Sequence, residues 1–438
     1  MRARVLLTAL TVLVVAPACG AGEGTRSGEL PPALTPPVMS SAPPTADARN
    51  TTRPSREKSP KTKQVPRPDA KQQAELDSQL IAAAWKNDLR RAHALIRRGA
   101  DVNAKDDTVQ GAHLIATSEG FFELLELTLE HGADVDSKDS FNGTGLIRAA
   151  DRGHADIAGR LIRAGVKVDH VNNLGWAALH EAVTLGDGSP RYVDTVRVLV
   201  AAGADVRLRS SRDGATPLSY ARSKGFDRVA AVLQAAVDAD QPSRQQANQR
   251  LLAAAKDGDA TAAALALRAG ANLETRDERG RTPLLLAVTA NKLAVARLLV
   301  YLGADPDALD DRHDTPWLVT GVTGSVEMAE ILLPARPDLT IRNRFGGVSL
   351  IPASEGGHVA YVRRVVKTNT DVTHVNDLGW TALLEAVILG DGSKRYQEIV
   401  RILLKAGADR QLSDRNGATA LEHARRRGHS SIIDILSA

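Results

Sequence analysis

The chain is almost without cysteine: Cys19 is the only one in 438 residues. No intrachain disulfide can form, and no zinc site built on two or four cysteines is available. Aromatic residues are also scarce, at 3%. A core of large rings is therefore excluded, and alanine, leucine and valine must do the packing. Charge of one sign is missing too, since 56 Lys and Arg stand against 52 Asp and Glu. Most of the small basic excess lies near the start, where residues 20–75 hold nine basic and six acidic side chains. Residues 76–438 hold 45 basic and 46 acidic side chains, a net of −1. Such a body has no bulk electrostatic footprint for nucleic acid, and no nucleic-acid partner is expected. Catalytic signatures are missing as well. There is no G-x-x-x-x-G-K-S/T phosphate loop, no H-E-x-x-H zinc helix and no G-x-S-x-G elbow. Nothing assembles an acid, a base and an oxyanion site. No catalytic residues, metal ligands or cofactors are expected, and Gly186-Asp187-Gly188 lacks the ligand density of a calcium loop.

The first nineteen residues read as an export signal. Arg2 and Arg4 form a short basic start, and Val5–Val15 is an apolar run too short to span a bilayer. Ala16-Pro17-Ala18 then precedes Cys19. Two readings follow. Ala-Pro-Ala fits ordinary signal-peptide cleavage and secretion. The cysteine behind it resembles the lipobox of bacterial lipoproteins, whose cysteine carries the lipid anchor, although Ala16 stands where a large aliphatic residue is usual. The lipoprotein reading is preferred. It puts the chain on the extracytoplasmic side of a membrane, lipidated at Cys19.

Residues 20–75 hold ten of the twenty prolines, in pairs such as Pro31-Pro32 and Pro43-Pro44. This composition reads as a disordered tether with polyproline II character. Arg53, Arg56, Lys58, Lys61, Lys63, Arg67 and Lys71 make its second half basic. That part is a solvated linker or is attracted to anionic lipid or wall polymer.

The rest is an internal repeat. Gly99, Gly132, Gly165, Gly203, Gly270, Gly303 and Gly407 each follow an apolar helical run, with a basic step of 33 residues. That period marks a solenoid with two short helices per unit. In the clearest unit, Gly280-Arg281-Thr282-Pro283 opens a helix over which Pro283 occupies the first turn. Thr282-Pro283-Leu284, Thr216-Pro217-Leu218, Gly99-Ala100-Asp101-Val102-Asn103 and Gly132-Ala133-Asp134-Val135 resemble ankyrin repeats, over about residues 77–438. The resemblance implies an all-α fold of helix–turn–helix units with hairpin fingers at right angles. It also implies protein binding through the fingers and the concave face of the first helices. Under it, His154, His358 and His429 bond the neighbouring loop, and His180 fills the histidine slot of Thr-Pro-Leu-His. Three departures should make their units less regular: His113 and Trp317 for a core leucine, and Arg336 for the capping glycine.

A second period of 204 residues overlies the first. His170-Val171-Asn172-Asn173-Leu174-Gly175-Trp176 matches His374-Val375-Asn376-Asp377-Leu378-Gly379-Trp380. The body is thus a tandem duplication, with array 1 at 77–238, a hinge at 239–246 and array 2 at 247–438. A continuous but bent stack is favoured over two lobes, and the chain is expected to be a monomer.

One unit in each array is longer by five residues, since the steps from Gly165 to Gly203 and from Asn369 to Gly407 are 38. An insertion of this kind tends to mark a binding face. The insertions carry Asp187 and Arg191, or Asp391 and Arg395. Ankyrin geometry places Trp176 and Trp380 on the finger side and Glu181 and Glu385 on an exposed first-helix face. These eight residues are the candidate partner-binding set. The competing reading is structural: the tryptophan packs on the next finger, and the insertion is only a longer turn. The longer unit resembles one in exported bacterial ankyrin proteins. The function expected is a non-catalytic protein-binding scaffold at the bacterial cell envelope. The alternative is an envelope module that holds wall polymer or membrane through the basic tether.

Overall fold

The repeating unit is two short helices because each is bounded by strong local signals. Thr282 accepts the amide of Leu285 at 3.2 Å to cap one first helix, and Pro283 follows it. Gly303 then ends the second helix at φ 91°, a left-handed conformation that costs glycine nothing. Neither helix can bury its apolar face alone, so the units stack.

A computed structural model describes residues 69–438; the export-signal range, Cys19 and the tether up to residue 68 lie outside the described residues. Array 1 comprises α1 (Ala70–Trp85), α2 (Leu89–Arg97), α3 (Ala112–Glu119), α4 (Phe122–Glu130), α5 (Gly145–Arg152), α6 (Ala155–Arg163), α7 (Ala178–Thr184), α8 (Pro190–Ala201), α9 (Pro217–Ser223) and α10 (Asp227–Asp238). Array 2 comprises α11 (Arg244–Asp257), α12 (Ala260–Arg268), α13 (Pro283–Thr289), α14 (Leu293–Tyr301), α15 (Pro316–Thr323), α16 (Val326–Leu332), α17 (Leu350–Glu355), α18 (Val359–Val365), α19 (Ala382–Ile388), α20 (Lys394–Lys405), α21 (Ala420–Arg426) and α22 (Ser430–Ser437). Among the described residues there is no strand, only isolated bridges such as Lys138 with Thr144 inside a finger. Two boundaries differ from the sequence reading. Helix α1 starts inside the range assigned to the tether, where Asp69 forms a capping box with Gln72. Helix α11 starts inside the range assigned to the hinge, where Ser243 does the same with Gln246.

The three departures fall in two units, since Trp317 and Arg336 share the α15–α16 pair, and only one departure disturbs its unit. His113 is buried within a regular α3, and burial pushes its imidazole down to about 4, so it packs as a neutral ring. Trp317 is fully buried in α15, filling its site with a larger side chain. The Arg336 unit does deviate. Its second helix tightens into a 3-10 turn over Leu333–Ala335, and Arg336 takes the left-handed conformation at φ 55° without being glycine.

The arrays do not form one bent stack. The row of first helices packs in series from α1 to α9, and again from α11 to α21. Between the arrays the chain turns back, so that α12 packs on α8, and α14 packs on α6 and α8. Both arrays belong to one compact unit. They meet through their second helices, which leaves the first helices and fingers on the two outer sides. The seam is built for close approach. Ala263, Ala264 and Ala266 of α12 are buried. Asp194 on α8 holds Arg197 at 3.2 Å and Arg297 of α14 at 3.3 Å. Arg268 donates to the carbonyl of Ala204 at 2.7 Å. Farther along, Arg336 lies 3.9 Å from Glu130 of α4.

Gly159 in α6 allows a close approach at this seam, because a Cβ there would lie 2.4 Å from the Tyr301 carbonyl oxygen. In an open helix, replacing glycine by alanine stabilises by about 0.5–1 kcal/mol. Here Gly159→Ala should instead destabilise, by about 1–3 kcal/mol. Urea unfolding of the two proteins checks the sign.

Candidate functional site: the two finger faces

Most fingers reverse direction around one Asp or Asn side chain, and the finger before α9 uses Ser210. Asn172 Oδ1 accepts the amides of Leu174 and Trp176, both at 3.0 Å. Asn376 Oδ1 does the same for Leu378 and Trp380, at 3.0 and 2.9 Å. Asp139 and Asp414 hold their own fingers in the same way. In these four fingers the second terminal atom then reaches the residue nine positions later on the first helix. Asn172 Nδ2 donates to Glu181 Oε1 at 2.7 Å, and Asn376 Nδ2 to Glu385 Oε1 at 3.0 Å. In the other two clasps the finger residue is Asp and the helix residue is a donor instead: Arg148 on Asp139 at 3.1 Å, and His423 on Asp414 at 2.8 Å. Donor and acceptor are matched in each of these four, so the clasp ties finger to helix.

This corrects the expected placing of Glu181 and Glu385. They are not exposed; they are 3% and 4% accessible, as the helix ends of two clasps. Burial pushes both carboxyls up to about 7, against the hydrogen bond from Asn172 or Asn376. Asp151 and Asp139 push Glu181 the same way while Arg148 draws it down; Glu355 pushes Glu385 up.

Trp176 is not an exposed anchor either. It is buried, edge-on to Tyr220 of the next unit with ring centres 6.4 Å apart, and the Arg212 guanidinium lies over it at 5.9 Å. The structural reading of this tryptophan is the observed one. Trp380 is half-buried.

The inserted residues are exposed but stand apart from the tryptophan and glutamate, roughly 10 Å along the first helix. Asp187 and Asp391 accept the amides of Ser189 and Ser393 at 2.8 and 3.0 Å. Arg191 and Arg395 lie over the rings of Tyr192 and Tyr396, each at 4.9 Å. Those tyrosines reach back one unit, donating to the carbonyls of Asp151 and Glu355 at 2.9 and 2.8 Å. On the other side, Gly188 and Gly392 lean on the rings of Phe226 and His429, so close that a Cβ would fall within 2.8 Å. The insertion thus clamps its unit to both neighbours. Two of the three turn histidines bind adjacent loops, with His154 on the Ser118 carbonyl at 3.2 Å and His358 on that of Val322 at 3.1 Å; His429 Nδ1 has no hydrogen-bond partner, and its ring packs on Gly392 instead. His170 and His374 bridge finger to finger, each 2.7 Å from a carbonyl.

What the finger faces do present to solvent was missed in the sequence. Phe141, Leu174 and Leu185 in array 1 are exposed, and so are their counterparts Phe345, Leu378 and Leu389, 204 residues on. The signal was available. Four of the six follow the finger Asp or Asn by two positions, where a turn normally carries a polar residue. In array 2 a cavity of about 500 Å³ lies among Phe345, Leu378, Trp380, Glu385 and Leu389. Among the described residues no cluster of metal-ligating side chains is arranged around an ion, and no helix is long and apolar enough to cross a membrane.

Stacked helix pairs, finger clasps and an outward first-helix row define a helical-repeat solenoid. The family model "Ankyrin repeats (3 copies)" matches this chain in overlapping segments within residues 80–210 and 218–438. The chain belongs to the ankyrin-repeat family. It is similar to the putative ankyrin repeat protein YahD of Escherichia coli K12, 39% identical over 188 residues, which is 43% of this chain and 94% of that one. A putative ankyrin repeat-containing protein of Treponema pallidum is 39% identical over 24% of this chain and 34% of its own length. Among solved structures, an ankyrin repeat domain from Acinetobacter baumannii AYE is 44% identical, with a TM-score of 0.42, over 43% of this chain and 95% of that one. Ankyrin repeats suggest a protein-interaction scaffold.

The buried glutamates set a pH dependence. In the folded chain they titrate near 7, against 4.5 for an ordinary glutamate. The folded state therefore holds extra protons between those values, and stability falls as pH rises through that window. Glutamine accepts the same hydrogen bond without a charge. The double variant Glu181→Gln, Glu385→Gln should lose less thermal stability than the parent between about pH 5 and about pH 8.5, by a few degrees in Tm. Calorimetry at the two pH values checks this.

Proposed function

We propose that this protein is a non-catalytic scaffold of the bacterial cell envelope, exported, lipidated at Cys19 and acting as a monomer, that recognises a partner protein on its concave finger faces. The observation that carries the reading is the repeated exposed set: Phe141, Leu174 and Leu185, and again Phe345, Leu378 and Leu389. Isolated exposed apolar residues are ordinary, but the same triad on both first-helix faces supplies rigid anchors of the kind that concentrate binding energy. Because the clasps fix the fingers beforehand, ordering costs on binding are small. Asp187, Arg191, Asp391 and Arg395 lie at the far end of the longer units and act as rim contacts. The start of the chain, with Arg2, Arg4, the apolar run and Cys19, supports export and anchoring.

The second reading, association with wall polymer or anionic lipid, draws on the basic run from Arg53 to Lys71. The two separate by salt. Crosslinking pull-down from intact cells with the full chain should retain a discrete protein at moderate salt. Replacing Phe141, Leu174, Phe345 and Leu378 by serine should lose that protein by about ten-fold or more while circular dichroism stays unchanged. Retention only of wall or membrane fractions, abolished by salt and indifferent to the serine variant, contradicts the scaffold reading and supports the second.

A further inference from the structure

The two arrays are copies, so a difference between counterparts shows what one face holds and the other lacks. In array 1, Arg148 sits beside the Glu181 clasp. Asp139 holds its guanidinium at 3.1 Å, and that guanidinium draws down the Glu181 carboxyl. Array 2 has lost both members of this pair: Asn343 stands in place of Asp139, and Pro352 in place of Arg148. The carboxylates around them remain. Glu385 is 4% accessible, with Oε1 held by Asn376 and Oε2 buried without a hydrogen-bond partner. Oε2 of Glu181 is equally unpartnered, but it lies in the field of Arg148. For Glu385 the neighbouring charge is a second carboxylate, Glu355, which is exposed. Pro352, Glu355 and Glu385 all line the cavity of about 500 Å³, with Phe345, Trp380 and Leu389 as its apolar wall.

The cavity also has four arginines, of which three face carboxylates. Arg281 is held by Asp277 at 2.7 Å. Arg312 and Arg344 face Asp314 at 4.0 and 3.5 Å, and Arg344 covers the Phe345 ring at 4.4 Å. Arg279 stands three fingers away from Asn376. The uncompensated charge at the Glu385 end is negative.

We propose that this cavity receives a lysine or arginine side chain of a partner polypeptide, seated with its cation on Glu385 and Glu355 and its aliphatic stem along Phe345, Trp380 and Leu389. The proposal rests on the concave-face reading above and names the chemistry of the partner. At the corresponding place array 1 carries Arg148, held by Asp139, where array 2 has Pro352. A cation beside Glu385 relieves a carboxylate that burial disfavours, and a long basic side chain brings both a charge for Glu385 and Glu355 and an apolar stem for Phe345, Trp380 and Leu389.

The test uses the full chain and two short fluorescent peptides. One carries a single arginine between two leucines; the other carries citrulline, which has the same shape without the charge. The parent should bind the arginine peptide about ten-fold more tightly than its citrulline twin. Glu385→Gln should erase that preference, and Glu181→Gln should leave it intact. Pro352→Arg should also erase it, by returning to array 2 the guanidinium that array 1 already has. Glutamine preserves the bond to Asn376, and circular dichroism verifies the fold. Equal binding of the twin peptides, lost on Phe345→Ala with Leu378→Ala, overturns the cation site and leaves the concave face standing. Absence of binding by either peptide overturns the inference together with the reading beneath it. A chain that sediments as a dimer, and reverts to monomer on Glu385→Gln, puts a second copy in the cavity and overturns a foreign partner.

Discussion

One oxygen atom per finger organises the functional face. A finger is a tight reversal whose amides would otherwise point into the turn unpaired, and an unpaired backbone amide is costly when shielded from water. In Asn172, Asn376, Asp139 and Asp414 a single side-chain oxygen takes two of those amides, and the remaining terminal atom locks onto the first helix. Finger and helix therefore move as one piece. The rest of the face is hung on this joint: the tryptophan amide is one of the bonded amides, and the exposed Leu174 and Leu378 are held by the other.

The same joint explains why two glutamates of the first helices are buried. Their partner is a carboxamide, which needs an acceptor, whereas an aspartate at the same place needs arginine or histidine. The longer units add a second restraint at the far end of the helix. Tyr192 and Tyr396 bond the preceding unit, while Gly188 and Gly392 rest on the following one. Rigid units then allow the larger arrangement, in which the arrays share a seam of second helices and turn their finger faces outward. A scaffold built this way presents two related but unequal faces: where one carries Arg148 beside the clasp, the other has Pro352 at the edge of a cavity.

Much of this was legible in the chain, and what was not has a physical reason. The period of 33 residues and the Thr-Pro starts report local conformational needs, so the helix pairs could be read directly. Helix α11 was placed late because Ser243 and Gln246 look like linker residues until their reciprocal bonds are seen. The clasp polarity was written in the sequence as Asn with Glu and Asp with Arg, nine apart, but the pairing has meaning only once the two positions are known to touch. Taking Glu181 for an exposed contact was the direct result. The turning back of the arrays was harder still. It depends on Gly159 and the alanines of α12, which read as ordinary small residues until the Tyr301 carbonyl is found against one and α8 against the others.

The measurement that bears most directly on the two outward faces is the distance between spin labels at Glu130→Cys on α4 and Arg336→Cys beside α16, in a chain also carrying Cys19→Ser. Back-to-back arrays bring these positions into contact range, with side chains 3.9 Å apart, so a short distance set by the labels themselves is expected. A continuous stack separates them by six units, roughly 50–60 Å at the usual helix spacing, and a distribution centred there would contradict the account.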